Sequence, residues 1–465
     1  MEPLVYEQKE QSGSWHLPEV RTSIKTALQT LDGLTLLRNV FLEPAGQAVL
    51  DLLRVLVVSD PDPLVVATSY SHAFYTLAAC ANDDATVHLS DAWQAYLVSR
   101  MIDDRNPWSE QVERVGRARV SSTLRAQGQR DLRTLQRLFR FDAQTLWRLV
   151  DTVVAPSLPA LRESWIPWRD LAPLPQHVMP EQARDTLASH LSTCNDWGIL
   201  VETLEHYWSR HGTGSLARYR ALRWAGVEKQ LLGIAYPDGI RLENLVGHER
   251  QQARLTTNIE RFLAGARAQD MLLYGPPGTG KSSTIKALAN TYAPQGLCLV
   301  EVSKEDIADL SLVVAHLRNR APRYLLFIDD LSFEEHETAY KALKVMLEGT
   351  AEARPANVLI CVTSNRMNLI RENFSERGKP TEDVNWRDTM DEKQSLAHRF
   401  ALRVTFISPD QKQYLHIVAE LARQRGFELS PELLQERALQ WERLHTGRSG
   451  RLARQFIDDL AAELQ

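Results

Sequence analysis

Gly275-Pro-Pro-Gly-Thr-Gly-Lys-Ser282 matches G-x-x-x-x-G-K-[ST] at every position. Glycines at these places let successive backbone N–H groups turn inward around phosphate oxygens. Lys281 brings a point charge to the outer phosphates, and the Ser282 hydroxyl stands where Mg²⁺ is held. The apolar run Met271 to Tyr274 before the loop predicts a strand. Ser282 to Asn290 after it predicts a helix whose positive N-terminal end faces the same phosphates. The set expected to hold a nucleotide is Gly275, Pro276, Pro277, Gly278, Thr279, Gly280, Lys281, Ser282 and Ser283.

Downstream, Tyr324-Leu-Leu-Phe-Ile-Asp-Asp330 is an apolar strand that ends in two acids. Packing gives a buried strand no reason to end that way. Metal chemistry does: Asp329 is expected to hold Mg²⁺, and Asp330 to polarise an attacking water. Glu334 and Glu335 follow at a predicted helix start, where the favourable helix dipole accounts for them. A further strand, Val358-Leu-Ile-Cys-Val-Thr-Ser-Asn365, ends in Asn365, which is placed to bond the γ-phosphate or the water. Ser395-Leu-Ala-His-Arg-Phe400 puts Arg399 just before the last strand, Arg403 to Phe406. An arginine there can stabilise transition-state charge in a neighbouring subunit, or simply form a surface ion pair. Gly447-Arg-Ser-Gly-Arg-Leu-Ala-Arg-Gln-Phe456 opens a C-terminal helix. Arg451 is expected to reach over the nucleotide from it, with Arg448 and Arg454 as competitors.

These strand candidates, together with Leu297 to Val302, alternate with helical patterns, which argues for a parallel sheet covered by helices. From about Asp410 onward the chain reads as helices alone. The 465 residues allow about three domains at roughly 100–200 residues each. With 44% hydrophobic and 24% charged residues, the composition excludes a wholly disordered or fibrous chain. Net charge is 54 − 59 = −5, so no global basic field points to nucleic acid. The chain holds 11 Lys and 43 Arg, with no Lys between Lys25 and Lys229. That step marks a module boundary near residue 225. The expected domains are a mainly helical 1–225, an α/β core at 226–409, and a helical lid at 410–465.

Cys80, Cys194, Cys298 and Cys361 form no C-x-x-C pair and no zinc spacing. The N-terminus is too polar for a signal peptide. The uncharged stretch Pro63 to Asn82 carries too many Ser, Thr, Tyr and His residues to span a bilayer. The expectation is a reduced, cytoplasmic protein without a membrane partner.

The first half carries nine of the eleven tryptophans, expected as core residues. Its clearest helix is Asp131 to Arg140, with Leu132, Leu135, Leu138 and Phe139 on one face and Arg130, Arg133, Arg137 and Arg140 on the other. The arginine face, continuing a basic stretch from Arg114, reads either as a solvated surface or as a contact for phosphates or an acidic partner. The segment Arg366 to Gln394 is long for a loop and reads equally as a surface element near a subunit interface or as a disordered insertion.

The order of phosphate loop, Asp-Asp strand, Ser-Asn strand end, Arg-Phe and lid arginine resembles the AAA+ ATPases. Within them, Arg241-Leu-Glu-Asn-Leu-Val-Gly-His-Glu249, Glu301-Val-Ser-Lys-Glu-Asp306, Ile328-Asp-Asp-Leu-Ser-Phe-Glu-Glu335 and Thr363-Ser-Asn-Arg366 resemble the bacterial family DUF815 over roughly residues 225–465. The resemblance implies a sheet of strand order 5-1-4-3-2, a helical lid, and a homo-oligomeric ring, expected as a hexamer, in which Arg399 acts across a subunit boundary. It also implies an adenine pocket at Leu245, Val246 and Gly247. Two features depart from the AAA+ pattern. The acidic pair is Asp329-Asp330 where Asp-Glu is usual, and Ser303 to Leu310 carries no aromatic-hydrophobic-Gly pore loop.

The implied function is hydrolysis of ATP to ADP and phosphate, with Mg²⁺, to remodel or reposition a macromolecule. The partner, protein or nucleic acid, is expected to bind the N-terminal half. Two alternatives stand beside this reading: a slow-turnover ATP-dependent switch or scaffold, and a DNA-associated loader that uses the Arg114–Arg140 stretch.

Overall fold

The computed structural model describes residues 17–81, 87–162, 165–171, 182–333, 340–348, 354–366, 369, 396–427, 429–445 and 447–464. Glu334, Glu335 and most of the segment 366–394 lie outside the described residues. The chain divides into two compact units, Met1–Trp208 and Ser209–Gln465.

The first unit is helical. Local chemistry sets its helix starts. Asn106 and Ser109 form a capping box ahead of Pro107–Val115, with Pro107 in the first turn, where its missing N–H costs nothing. Asp142 caps Ala143–Val154 by accepting from the Thr145 N–H. Asp91 accepts from the backbone N–H groups of Trp93 and Gln94, and across the fold from that of Ala143. Burial raises its pKa to about 6, against the pull of those three bonds.

Trp93, Trp108, Trp168, Trp197 and Trp208 are fully buried, and four of their indole N–H groups find oxygens. Three bond to backbone carbonyls, at Leu138, Leu191 and Ile102, and Trp108 bonds to Glu205. In Ser122–Phe139 the predicted apolar face is buried. The opposite arginine face is partly spent inside the unit. Arg133 grips Asp196 with two bonds, at 2.9 and 2.8 Å, Arg140 donates to the Asn195 carbonyl, and Arg125 pairs with the buried Glu205. Arg130 and Arg137 alone of the four stripe residues stay exposed with no partner among the described residues. A guanidinium held bidentately by a carboxylate has little charge left for phosphate, so the stripe is not a continuous basic track. The uncharged stretch forms the helix Pro63–Ala81. No helix among the described residues is long and apolar enough to cross a membrane.

The second unit is built on a seven-stranded sheet: β1 (Ala221–Ala225), β2 (Gln230–Gly233), β3 (Met271–Tyr274), β4 (Leu297–Glu301), β5 (Arg323–Ile328), β6 (Val358–Ser364) and β7 (Leu402–Thr405). Their order is β2-β1-β4-β5-β6-β3-β7, parallel throughout except for the β1–β2 hairpin. The five predicted strands form within a residue or two of their expected bounds and keep the expected order among themselves. That five-strand order nevertheless falls short of the whole sheet, because β1 and β2 extend it beyond β4.

The expected boundary at 225 consequently falls inside this sheet, between β1 and β2. β1 is hard to read in the sequence because one face is wet: Arg223 is exposed between buried Leu222 and Trp224. Strands buried on both faces, such as β6 with every residue buried, announce themselves as unbroken apolar runs.

Two apolar layers cover the sheet. One gathers Ile285 and Leu288 of the helix Lys281–Tyr292 with Ile259 and Phe262 of the helix Glu249–Leu263. The other gathers Val313 and Leu317 with Leu343 and Phe400. The helices Gln411–Gln424, Pro431–Leu444 and Gly450–Leu464 have their own small core around Tyr414, Val418 and Phe456.

Candidate functional site

The phosphate loop joins β3 to the helix Lys281–Tyr292 at the carboxyl edge of the sheet, where open α/β sheets bind ligands. Two of its glycines are required. A Cβ on Gly275 would overlap the Phe406 carbonyl oxygen, and its φ is 148°. Gly280, at φ 92°, is the left-handed residue that turns the chain into the helix.

Lys281 is 6% exposed. Its Nζ donates to the carbonyls of Gly275 and Pro276, at 2.8 and 2.9 Å, and to Asn365 Oδ1 at 3.0 Å. Burial pulls its pKa down; Asp330 and Asp329 oppose this, and Arg451 adds to it. Ser282 Oγ donates to Asp329 Oδ1 at 2.5 Å. Asn365 Nδ2 donates to Asp330 Oδ1 at 2.5 Å. Asp330 itself has left-handed backbone, φ 46°, which costs a non-glycine residue energy and is held only by its surroundings.

These groups line a cleft of about 470 Å³, within the range of small-molecule sites. Its lining brings together Pro277 to Ser283 with Asp329, Asp330 and Asn365. Leu245, Val246 and Gly247 line it too, as expected for a base pocket, and Ile417 and Leu421 add apolar surface from the C-terminal helices. Gly275 and Pro276 are not part of the lining; their carbonyls sit beneath the loop and hold Lys281.

Arg451 lines the cleft, and its backbone N–H donates to the Gly278 carbonyl at 3.3 Å, tying the lid helix to the loop. Arg454 lines it as well. Arg448 does not: it pairs with Glu442 and Gln411. Arg399 is also outside the cleft, ion-paired with Glu348 of the same chain at 2.7 Å.

Three contributors were not evident in the sequence. His248 has left-handed backbone (φ 62°), packs its ring 4.9 Å from that of Phe406, and has its pKa lowered by burial. Its signal was the Val-Gly turn before a helix start. Thr363 bonds to the acidic pair, and strand alternation places it on the same face as Cys361. Arg454 was legible only as a competitor of Arg451.

The site fits magnesium with a nucleoside triphosphate. Ser282 and Asp329 offer hard oxygen donors. No cluster of three or more His, Cys, Asp or Glu stands ready as a metal cage among the described residues, and Mg²⁺ in such sites is held by one or two protein oxygens plus phosphate. The cations Lys281, Arg451 and Arg454 face the same space, and neither arginine has a carboxylate partner among the described residues. Such an arrangement can bind a polyphosphate, neutralise its charge, and present a carboxylate to a water at its end.

Several known proteins are similar to parts of this chain. Replication factor C subunit 3 of Schizosaccharomyces pombe is 30% identical over 141 residues, covering 29% of this chain and 40% of that protein. The probable mitochondrial chaperone BCS1-A of Dictyostelium discoideum is 30% identical over 126 residues, 23% of this chain and 29% of that one. The chain thus spans well under half the length of either relative. Among solved structures, the RuvB Holliday junction branch migration motor of Thermotoga maritima aligns with 48% of this chain and 72% of its own at 15% identity, with a TM-score of 0.30. The profile of the family described as "Protein of unknown function (DUF815)" matches residues 217–464. The chain belongs to that family, and its second unit is an AAA+ P-loop ATPase module.

Proposed function

We propose that this chain binds ATP with Mg²⁺, hydrolyses it to ADP and phosphate, and uses the cycle to reposition a macromolecular partner. The observation that carries the reading is the convergence of Lys281, Ser282, Asp329, Asp330 and Asn365 on one cleft. In it, backbone N–H groups of Gly278 to Ser283 cradle the phosphates and the base lies against Leu245 to Gly247. Lys281 leaves the carbonyls of Gly275 and Pro276 for the β- and γ-phosphates. Ser282 and Asp329 hold Mg²⁺, which supplies charge neutralisation at the phosphates. Asp330 accepts the proton of the attacking water, Asn365 orients that water or the γ-phosphate, and Arg451 closes over it from the lid.

Arg399 lies outside its own cleft, which suits an arginine finger acting on a neighbouring subunit of a ring, a hexamer in our reading. The helical first unit takes the part of partner recognition, in the cytoplasm.

A second reading, a slow-turnover switch or scaffold, is favoured by one feature. Asp330 is a methylene shorter than glutamate, and its carboxylate is engaged by Asn365. The deciding experiment is steady-state phosphate release from Mg²⁺-ATP by the full chain, beside nucleotide binding, for the unsubstituted protein and Lys281→Ala. Hydrolysis and binding both lost in the variant is the expected result. Tight binding with no turnover in the unsubstituted chain overturns the hydrolytic reading in favour of the switch.

A further inference from the structure

Thr363 is 1% exposed and sits next to the end of β6. β6 runs further toward the carboxyl edge than β5: Ile328, the last residue of β5, pairs with Val362. Thr363 therefore stands beside the first residues that have left β5, which are Asp329 and Asp330. Along β6, Leu359 and Cys361 pack into the layer that contains the helix Lys281–Tyr292, while Ile360 and Val362 pack into the other. Alternation turns Thr363 toward the phosphate-loop side.

Its hydroxyl makes two bonds there. Thr363 Oγ1 accepts the Asp330 backbone N–H at 2.8 Å and donates to Asp329 Oδ1 at 2.5 Å. Asp329 Oδ1 also accepts from Ser282 Oγ at 2.5 Å and from the Asp330 N–H at 3.1 Å. One oxygen of Asp329 is thus fixed by protein donors. The same hydroxyl holds the N–H of a residue whose left-handed backbone needs outside support. The Thr363 main chain adds a third tie, its carbonyl accepting from the Leu331 N–H at 2.8 Å.

We propose that Thr363 is the positioning residue of the acidic pair: through one hydroxyl it orients the Asp329 carboxylate for Mg²⁺ and holds Asp330 in the backbone turn that aims its carboxylate at Asn365. Thr363 borders the cleft, and its hydroxyl acts through Asp329 and Asp330. This inference rests on the Mg²⁺-nucleotide reading of the cleft. A threonine suits the task because its methyl fills the buried face of the strand while its hydroxyl supplies both a donor and an acceptor. Valine matches its shape and has neither.

The test uses the full chain with Thr363→Val, Thr363→Ser and Thr363→Ala. Two quantities are measured on the same samples: the Mg²⁺ concentration that gives half of the metal-dependent change in binding of a fluorescent ATP analogue, and the rate of hydrolysis. Nucleotide binding in EDTA serves as the control. Loss of an outer partner of a metal ligand costs about 10–100-fold in metal affinity or activity. We expect Thr363→Val to raise the half-saturating Mg²⁺ at least about tenfold with nucleotide binding in EDTA unchanged, and Thr363→Ser to restore the metal dependence of the unsubstituted chain.

If Thr363→Val does not fold, the Ser and Ala variants, which differ by one hydroxyl, decide. Metal dependence equal in Ser and Ala overturns the inference, as does a Val variant that folds and binds Mg²⁺ normally. Absence of turnover in the unsubstituted chain sinks the hydrolytic reading alone, because the Mg²⁺ dependence of binding still tests Thr363. Binding with no Mg²⁺ response in the unsubstituted chain overturns both.

Discussion

Asn365 Nδ2 lies 2.5 Å from Asp330 Oδ1, and the oxygen of the same amide lies 3.0 Å from Lys281 Nζ. One side chain thus bridges the cation of the phosphate loop and the second acid of the strand pair. The amide uses its donor toward the carboxylate and its acceptor toward the ammonium, an orientation only one of its two flips satisfies.

That bridge separates binding from chemistry. Asp330→Asn keeps the shape and removes a base, so nucleotide affinity is expected to stay within about twofold while hydrolysis falls. General-base removal typically costs about 10²–10⁴-fold. Isothermal titration beside phosphate release checks this. Hydrolysis unchanged in the variant would mean that Asp330 is not the base.

Arg399 is half-exposed and pairs with Glu348 at 2.7 Å. A partly exposed ion pair contributes little to stability, on the order of 0–1 kcal/mol, so it is readily exchanged for a phosphate of a neighbouring subunit. Arg399→Ala is expected to lower hydrolysis by about 10³-fold or more, the range for arginine fingers, with nucleotide binding and thermal stability retained. Glu348→Gln, which frees the arginine, is expected to leave hydrolysis equal or higher. The check is turnover measured at several protein concentrations beside assembly size by light scattering. Unchanged hydrolysis in Arg399→Ala rules out action in trans.

Gly275→Ala tests the loop's steric requirement. Its Cβ would run into the Phe406 carbonyl oxygen, and backbone on both sides cannot swing away like a side chain. The variant is expected to lose roughly 2 kcal/mol or more of stability, as overpacking typically costs 1–3 kcal/mol, and to bind nucleotide more weakly. Gly239→Ala, where the added carbon meets nothing within 4 Å, is the matched control in thermal unfolding and nucleotide titration.

Asp91 gives the first unit an unusual acid response. Its pKa is about 6 in the fold, against 3.8 when free, because burial outweighs its backbone bonds. Between those values the folded state holds the proton more tightly than the unfolded state does, so this group's contribution to stability rises as pH falls from about 6 to about 4. Urea unfolding followed by tryptophan fluorescence is expected to show the unsubstituted chain gaining on Asp91→Asn across that window. A constant difference between the two would show that Asp91 is already ionised at pH 5.

The strands β3 to β7 and the phosphate loop were legible in the sequence for a common reason: each is local. A strand buried on both faces must be an unbroken apolar run, and a loop that wraps phosphate with backbone needs glycines at fixed spacing. β1 escaped notice because Arg223 on its wet face interrupts the pattern. The partners of the site escaped for a different reason. Arg448, Arg451 and Arg454 are equivalent by sequence, and only the packing of Leu452, Ala453 and Phe456 into the lid core turns Arg451 and Arg454 toward the cleft and leaves Arg448 to Glu442. Arg133 likewise reads as free charge until the chain brings Asp196 against it.

The sequence alone determined the chemical groups of the candidate site: a phosphate-loop motif, a strand ending in two acids and a polar strand end, each written within a few adjacent residues. The tertiary structure decided which distant side chains serve that chemistry. It set Thr363 beneath the acidic pair, His248 against Phe406, and Arg399 on Glu348 and out of its own cleft. Hydrogen-bond geometry between residues far apart in the chain depends on strand register and helix rotation, and these are fixed by the packing of the whole core.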